Sequence, residues 1–287
     1  MGIIIALLSS FVLALSQVSL KRSFTQIPPS VAFFFDVIFA LFLWIPFAFW
    51  VGIDRLYLPQ VIGVAVFSAI LSEAYYFFIL SKGELSITAT LLASYPVYTV
   101  LFSLWINNES PTPMQWLFIA ITILGTLIIT LPGVEVFDKS ELRKAPTILW
   151  ALSGAIAVGL ADALAKNVID RSSTATFLFA LAIIQIPIAL GYLRIEKGRL
   201  KQFAYIVSEF SLYKFAIIGS ALNVLGVMLL FIAFQSTLAS IAAPLTGTYP
   251  VIVAILARLF LREKLSSTKL IGVIIVTIGV LGLGVTS

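Results

Sequence analysis

Ten predominantly apolar stretches, each close to the length that crosses a bilayer, constrain this chain more than any motif it carries. A helix needs about 20 such residues to span the hydrocarbon layer. The segments run roughly 2–22, 30–51, 59–81, 86–106, 114–131, 147–166, 174–193, 213–235, 239–261 and 268–286. Turn chemistry separates most of them: Pro28-Pro29, Gly52-Ile53-Asp54, Asn107-Asn108-Glu109, Pro111-Thr112-Pro113 and Pro132-Gly133. Of 287 residues, 61% are hydrophobic and 11% charged. A soluble domain of this size is about half apolar and a quarter charged, so the excess apolar surface must face lipid. The expected fold class is therefore all-α integral membrane, with ten transmembrane helices. The first segment has no basic flank and no small-residue cleavage site, which predicts a retained span and not a signal peptide.

The chain also repeats itself. A shift of 154 positions carries Tyr95-Pro96-Val97 onto Tyr249-Pro250-Val251, Glu109 onto Glu263, Ser86 onto Ser240 and Gly125 onto Gly279. A shift of 145 carries Ala6, Leu7 and Leu20-Lys21 onto Ala151, Leu152 and Ala165-Lys166. Residues 1–131 thus form a first five-helix repeat, 132–146 a linker and 147–287 a second repeat. Five is odd, so tandem halves sit in opposite orientations, a plan common among secondary transporters.

All but three of the 18 Lys and Arg residues fall in the loops joining spans 1–2, 3–4, 5–6, 7–8 and 9–10 or in the span ends that border those loops, the exceptions being Arg55, Lys166 and Arg171. The excess of basic residues in cytoplasmic loops then predicts that both termini lie outside the cytoplasm of a cell-membrane protein. With no Cys and no His, the chain lacks disulfides, thiolate nucleophiles, most zinc sites and the commonest general base. No cofactor or metal is called for, no dense basic run points to nucleic acid, and no Walker motif points to ATP drive.

The doubled pattern of small residues, Tyr-Pro-Val, an acidic loop residue and a glycine-bearing last span, from Ser86 to Gly125 and again from Ser240 to Gly279, resembles the EamA-type transporters of the drug/metabolite transporter superfamily. That resemblance covers essentially the whole chain. It implies a ten-helix bundle whose helices 1, 3, 4, 6, 8 and 9 line a central cavity, with helices 5 and 10 peripheral. It also implies export or exchange of amino acids, other metabolites or drugs.

Ionisable residues inside a membrane are costly and are read as functional by default. Glu73 lies in the third span, where helical spacing groups it with Ala69, Ser72, Tyr76 and Leu80. It is a candidate for binding a substrate amine or a proton, against a plain hydrogen-bonded structural role. Asp162 precedes Lys166 by one turn, which permits a neutralising salt bridge or a carboxylate for which cargo or protons compete. The repeat maps Asp162 onto Gln17 and Lys166 onto Lys21. Small residues beside this edge, Ala155-Gly159-Ala163 and Ala6-Ser10-Ala14, suit close helix approach in the interior. Asn223 is the repeat mate of Ala69 and points as the Glu73 face does. Asp36 reads more readily as structural, Arg258 as snorkelling to headgroups ahead of Arg262, and Gln185 as an interhelical hydrogen bond.

Proline inside a helix frees the carbonyl four residues earlier. Pro96 and Pro250 predict breaks at Leu92 and Thr246, and Pro244 a second break in the ninth span. Such breaks face protein or a wet cavity, which adds Thr88, Thr90, Ser94, Tyr95, Tyr98, Thr246, Thr248 and Tyr249 to the expected lining. The expected substrate site is thus Gln17, Glu73, Tyr76, Ser94, Tyr95, Tyr98, Asp162, Asn223, Thr246, Thr248 and Tyr249, with Glu73 and Asp162 as proton-coupling candidates and Pro96, Pro244 and Pro250 as hinges.

The function this supports is a secondary transporter, exporting or exchanging small organic metabolites such as amino acids or drug-like amphiphiles by alternating access. The alternative is a channel or a non-transporting membrane subunit. An intramembrane enzyme finds no supporting motif. The partners are a small-molecule substrate and the lipid bilayer, and the glycines of the last span, Gly272, Gly279, Gly282 and Gly284, suit a homodimer contact or internal packing equally.

Overall fold

A computed structural model describes residues 1–81, 92–130, 145–196, 210–253, 255 and 267–286. Among these residues the chain is helical throughout, without strands. This is what a bilayer demands, because each backbone polar group must find its partner within its own segment. The helices are α1 (Gly2–Ser23), α2 (Pro29–Val51), α3 (Leu58–Ser81), α4 (Tyr95–Ile106), α5 (Pro113–Thr130), α6 (Ala145–Arg171), α7 (Thr174–Ile195), α8 (Phe210–Ser236), α9 (Ala239–Val253) and α10 (Ser267–Thr286). Seven stretches are long and apolar enough to cross a membrane: α1, α2, α3, α7, α8, α10 and residues Leu149–Arg171 of α6. The apolar helices α4, α5 and α9 are shorter among the described residues. At 1.5 Å per residue, the 22 residues of α1 extend about 33 Å, against a hydrocarbon layer of about 30 Å.

Large apolar side chains cover the outside, among them Phe42, Trp50, Trp105 and Leu281. The interior is built from small ones. Ala6, Ser10, Ala14, Ala155 and Ala163 are all fully buried. Lipid tails are as apolar as leucine, so helices gain nothing by hiding leucine from them, and close packing with interhelical hydrogen bonds must supply the association energy. The α1–α8 contact shows how. Ser9 and Ser16 donate to the carbonyls of Gly226 and Gly219 at 2.7 and 2.8 Å. A Cβ on Gly219 would come within 2.8 Å of the backbone nitrogen of Leu20.

The most extensive helix pairings are preserved when the two halves are exchanged. The α1–α8 contact has its mate in α6–α3, α4–α6 in α9–α1, and α2–α8 in α7–α3, while α2–α7, α4–α9 and α5–α10 are their own mates. In α5–α10, the last-span glycines are spent on internal packing. A Cβ on Gly272 or Gly279 would meet backbone of α5 (Gly125 O at 3.1 Å, Thr122 N at 2.8 Å), and one on Gly282 would strike the Phe118 ring, whereas Gly284 has open space around it.

Two local features depart from uniform α-helix. Residues Ala69–Ala74 of α3 form a π-helical turn, which helical spacing alone did not foresee. The Tyr-Pro pairs do not kink a continuing helix; each begins a new one. Ala93-Ser94 and Gly247-Thr248 are turns, Pro96 sits in the first turn of α4, and Val97 N–H and Val251 N–H donate to Ser94 O and Thr248 O at 3.0 and 2.9 Å. Proline fits there because the missing N–H would have no helical partner anyway. The break expected at Pro244 is a correction. Pro244 lies inside an uninterrupted helix, Ala239–Thr246, and the interruption falls three residues later, at Gly247, whose Cα packs against the Pro96 ring.

Candidate functional site

The two turns meet at the centre of the bundle, beside a cavity of about 70 Å³. Six helices line it: α1 through Leu13 and Gln17, α3 through Ser72, Glu73 and Tyr76, α4 through Tyr95, α6 through Val158 and Asp162, α8 through Asn223, Val227, Leu230 and Phe231, and α9 through Tyr249. Neither α5 nor α10 contributes.

Seven residues singled out in the sequence therefore share one cavity: Gln17, Glu73, Tyr76, Tyr95, Asp162, Asn223 and Tyr249. Ser94, Tyr98, Thr246 and Thr248 lie outside this lining. Tyr98 packs over Gly159, Thr246 donates to Ala6 O at 3.3 Å, and Thr248 shares a 3.0 Å hydrogen bond with Ser10. Thr88, Thr90, Arg258 and Arg262 are outside the described residues.

Polar groups in the lining are held by neighbours on other helices. The Gln17 amide donates to the Tyr76 hydroxyl, which is also bonded to the Tyr249 hydroxyl. Thr99 Oγ1, one turn beyond Tyr95, donates to Asp162 Oδ2 at 3.2 Å. Thr99 was not anticipated, although its position four residues after Tyr95 puts it on the same helix face. Glu73 makes no hydrogen bond or ion pair with any described residue, yet it is only 4% exposed. It projects from the π-helical turn, where the extra residue per turn bulges the backbone.

The expected Asp162–Lys166 pair is not formed. Lys166 Nζ instead binds Asp170 Oδ1 at 2.6 Å. Both carboxylates are one turn from Lys166, but the Asp170 side chain is 46% exposed, so pairing there strips less water from the ions. Lys21, the repeat mate of Lys166, donates to Leu80 O at 3.3 Å.

Asp36 is fully buried, and its Oδ1 accepts from Asn223 Nδ2 at 3.0 Å. Asp36, Glu73 and Asp162 lie near enough for Glu73 to interact electrostatically with the other two. Two of these buried carboxyls, Glu73 and Asp162, line the cavity, and the third, Asp36, is bonded to the lining residue Asn223, with no described Lys or Arg paired to any of them. A buried carboxylate without a counter-ion is expensive, and either protonation or a cation brought beside it removes that cost.

The model of the EamA-like transporter family matches residues 1–131 and again 145–285. The chain is 27% identical over 201 residues to an uncharacterized transporter of Synechocystis sp., covering 68% of this chain and 57% of that protein. It is 24% identical over 251 residues to an S-adenosylmethionine uptake transporter of Rickettsia felis, covering 85% of this chain and 78% of the relative. With the S-adenosylmethionine uptake transporter of Rickettsia prowazekii, identity is 23% over 283 residues, covering 96% and 89%. A crystal structure of a protein 15% identical in sequence superposes with a TM-score of 0.72 over 99% of this chain and 96% of its own, a likeness in fold. The internal repeat, the helical bundle and the two family matches together make this chain a member of the EamA-like transporter family, a multi-pass membrane transporter.

Proposed function

We propose that this transporter carries a small organic cation or zwitterion by alternating access, with Glu73 and Asp162 receiving its positive charge. The observation that carries this reading is the pair of buried carboxyls, Glu73 and Asp162, without a described counter-ion in a cavity walled by Tyr76, Tyr95 and Tyr249. Tyrosine faces attract a cationic centre and stack against a planar group. Relatives named as S-adenosylmethionine uptake transporters support a cargo of this type, since that molecule joins a sulfonium and an ammonium to an aromatic base. S-adenosylmethionine is therefore the first cargo to test. Amino acids and drug-like amphiphiles share the ammonium chemistry and belong in the same panel.

The remaining features fit a rocking mechanism. The pairings that survive exchange of the halves support an inverted repeat of ten spans, in which two opposite states are nearly equivalent. At about 70 Å³ the cavity has room for a few waters. Metabolite pockets begin near 300 Å³, so cargo enters only when the lining helices separate, and Ser94, Tyr98, Thr246 and Thr248 join the site as they do. Protons on Glu73 and Asp162 give way to the arriving cation, so that cargo and protons exchange. The protein sits in the cell membrane with both termini outside the cytoplasm.

The test is uptake of labelled S-adenosylmethionine, amino acids and amphiphilic amines into proteoliposomes, with and without a pH gradient. Saturable uptake of a cationic member, driven by the gradient and reduced at least tenfold by Glu73→Gln, is the expected result. Flux that never saturates would make the protein a channel, and uptake untouched by Glu73→Gln would remove the carboxyl cluster from cargo binding.

A further inference from the structure

Asn223 presents the cavity with one side of an amide, and which side decides what it attracts. A primary amide has a donor nitrogen and an acceptor oxygen at opposite ends of the same plane. Asn223 Nδ2 is bonded to Asp36 Oδ1 at 3.0 Å, and no described donor is bonded to its Oδ1. Asn223 is 4% exposed and lines the cavity, whereas Asp36 is wholly buried on α2 and is absent from the lining. With one N–H of its amide nitrogen held by Asp36, the carbonyl is the end of the Asn223 amide left with no described partner, and it is the end available to cargo.

Rotation of α8 against α2 does not relax this arrangement. Two more bonds tie the same stretch of α8 to α2: Ser220 Oγ donates to Ala32 O at 2.8 Å, and Trp44 Nε1 donates to Val224 O at 3.1 Å. They flank the Asp36–Asn223 bond on either side along both helices. If Asp36 offered no acceptor, the amide could turn end for end at little cost and put its NH₂ into the cavity, where it would favour anions.

We infer that Asp36 is a positioning residue that selects cationic cargo by holding the Asn223 carbonyl toward the cavity. The inference rests on the cavity being the cargo site. It adds to the carboxyls of Glu73 and Asp162 a third, uncharged negative pole on the opposite repeat from Glu73. It also assigns Asp36 a task distinct from theirs: its work is done through an acceptor atom and not through its charge.

That distinction sets the test. Asp36→Asn removes the charge but keeps a carbonyl that accepts from Asn223, while Asp36→Leu removes both at similar volume. Each protein is titrated with S-adenosylmethionine and with S-adenosylhomocysteine, which keeps the ammonium and carboxylate but has a neutral thioether in place of the sulfonium. The readout is the ratio of the two dissociation constants. Asp36→Leu is expected to reduce the preference for the sulfonium about tenfold, the size of one hydrogen bond to a charged group, and Asp36→Asn to keep it within about twofold. Equal losses in both variants would show that Asp36 acts by charge, and an unchanged ratio in Asp36→Leu would show that it does not act on cargo at all; either overturns the inference.

A second readout needs no cargo. The chain has four asparagines, so labelling asparagine with ¹⁵N yields four side-chain amide signals, and Asn223→Ala identifies one. The Asn223 signal is expected to move in Asp36→Leu and to stay near its place in Asp36→Asn. If the unaltered protein binds neither probe, the cargo reading fails while this measurement still decides the inference: a signal unmoved in Asp36→Leu overturns it.

Discussion

At the scale of single residues, the carboxyls divide by their surroundings. Asp162 and Asp170 are both one turn from Lys166, yet only Asp170 takes the lysine, and Asp162 turns to Thr99 and the cavity. A partly exposed ion pair contributes about 1 kcal/mol or less. Lys166→Gln is accordingly expected to lower stability by no more than about 1 kcal/mol in thermal melts, and to leave the cargo dissociation constant within about twofold. A tenfold weakening would return Lys166 to the site. Glu109 has a different surrounding. It follows α4 in the first repeat and accepts at 2.8 Å from the backbone N–H groups of both Ala239 and Ser240, the first residues of α9 in the second. A carboxylate here satisfies two orphan donors and complements the positive end of the helix. Glu109→Ala is expected to cost about 1–2 kcal/mol, the upper range for losing a helix cap, read as a lowered melting temperature in detergent. Glu109→Gln, which keeps one acceptor, should lose less.

At the scale of elements, glycine sets how closely helices meet. Gly159 on α6 faces Tyr98 and the backbone nitrogen of Thr99, which a Cβ would approach to 2.7 Å. Backbone cannot swing aside as the end of a long side chain can. Gly159→Ala is expected to push α4 from α6 and destabilise the protein by about 1–3 kcal/mol, the usual cost of overpacking. Gly63, with open space around its Cβ position, serves as the control: Gly63→Ala should raise the melting temperature slightly, as alanine stiffens a helix relative to glycine. The opposite pattern in thermal melts would contradict the α4–α6 contact. The π-helical turn Ala69–Ala74 is the other element-scale feature, and it carries Glu73. Helical spacing predicted a face of Ala69, Ser72, Glu73, Tyr76 and Leu80. Only Ser72, Glu73 and Tyr76 reach the cavity, because the turn changes the angle between residues before and after it.

At the scale of the molecule, the halves are joined where cargo would sit. Ser10 on α1 and Thr248 at the interruption of α9 share a 3.0 Å hydrogen bond across the repeats. If transport requires the halves to separate, a covalent link there must stop it. The chain has no cysteine of its own, so Ser10→Cys with Thr248→Cys supplies a clean pair. Oxidation of the double variant is expected to reduce proteoliposome uptake to background and a reductant to restore it, with neither single variant responding. Unimpaired uptake in the oxidised, verified disulfide form would mean that α1 and α9 move as one body.

What the sequence determined by itself is what hydrophobic length and internal repetition can carry. The apolar segments require helices, since no other open structure satisfies its backbone in lipid, and the doubled Tyr-Pro and the Gln17–Asp162 correspondence point to a shared interior. The tertiary structure decided which polar atoms meet. Nothing in the spacing of Asp36 and Asn223, 187 positions apart, announces their bond, and nothing near Lys166 chooses between two carboxylates at equal distance along the helix. Those choices depend on water exposure and on the neighbouring helix, quantities that exist only once the bundle is assembled. The placement of Glu73 on a π-helical turn belongs to the same class, because an added residue per turn is held by packing and not by the composition of Ala69–Ala74.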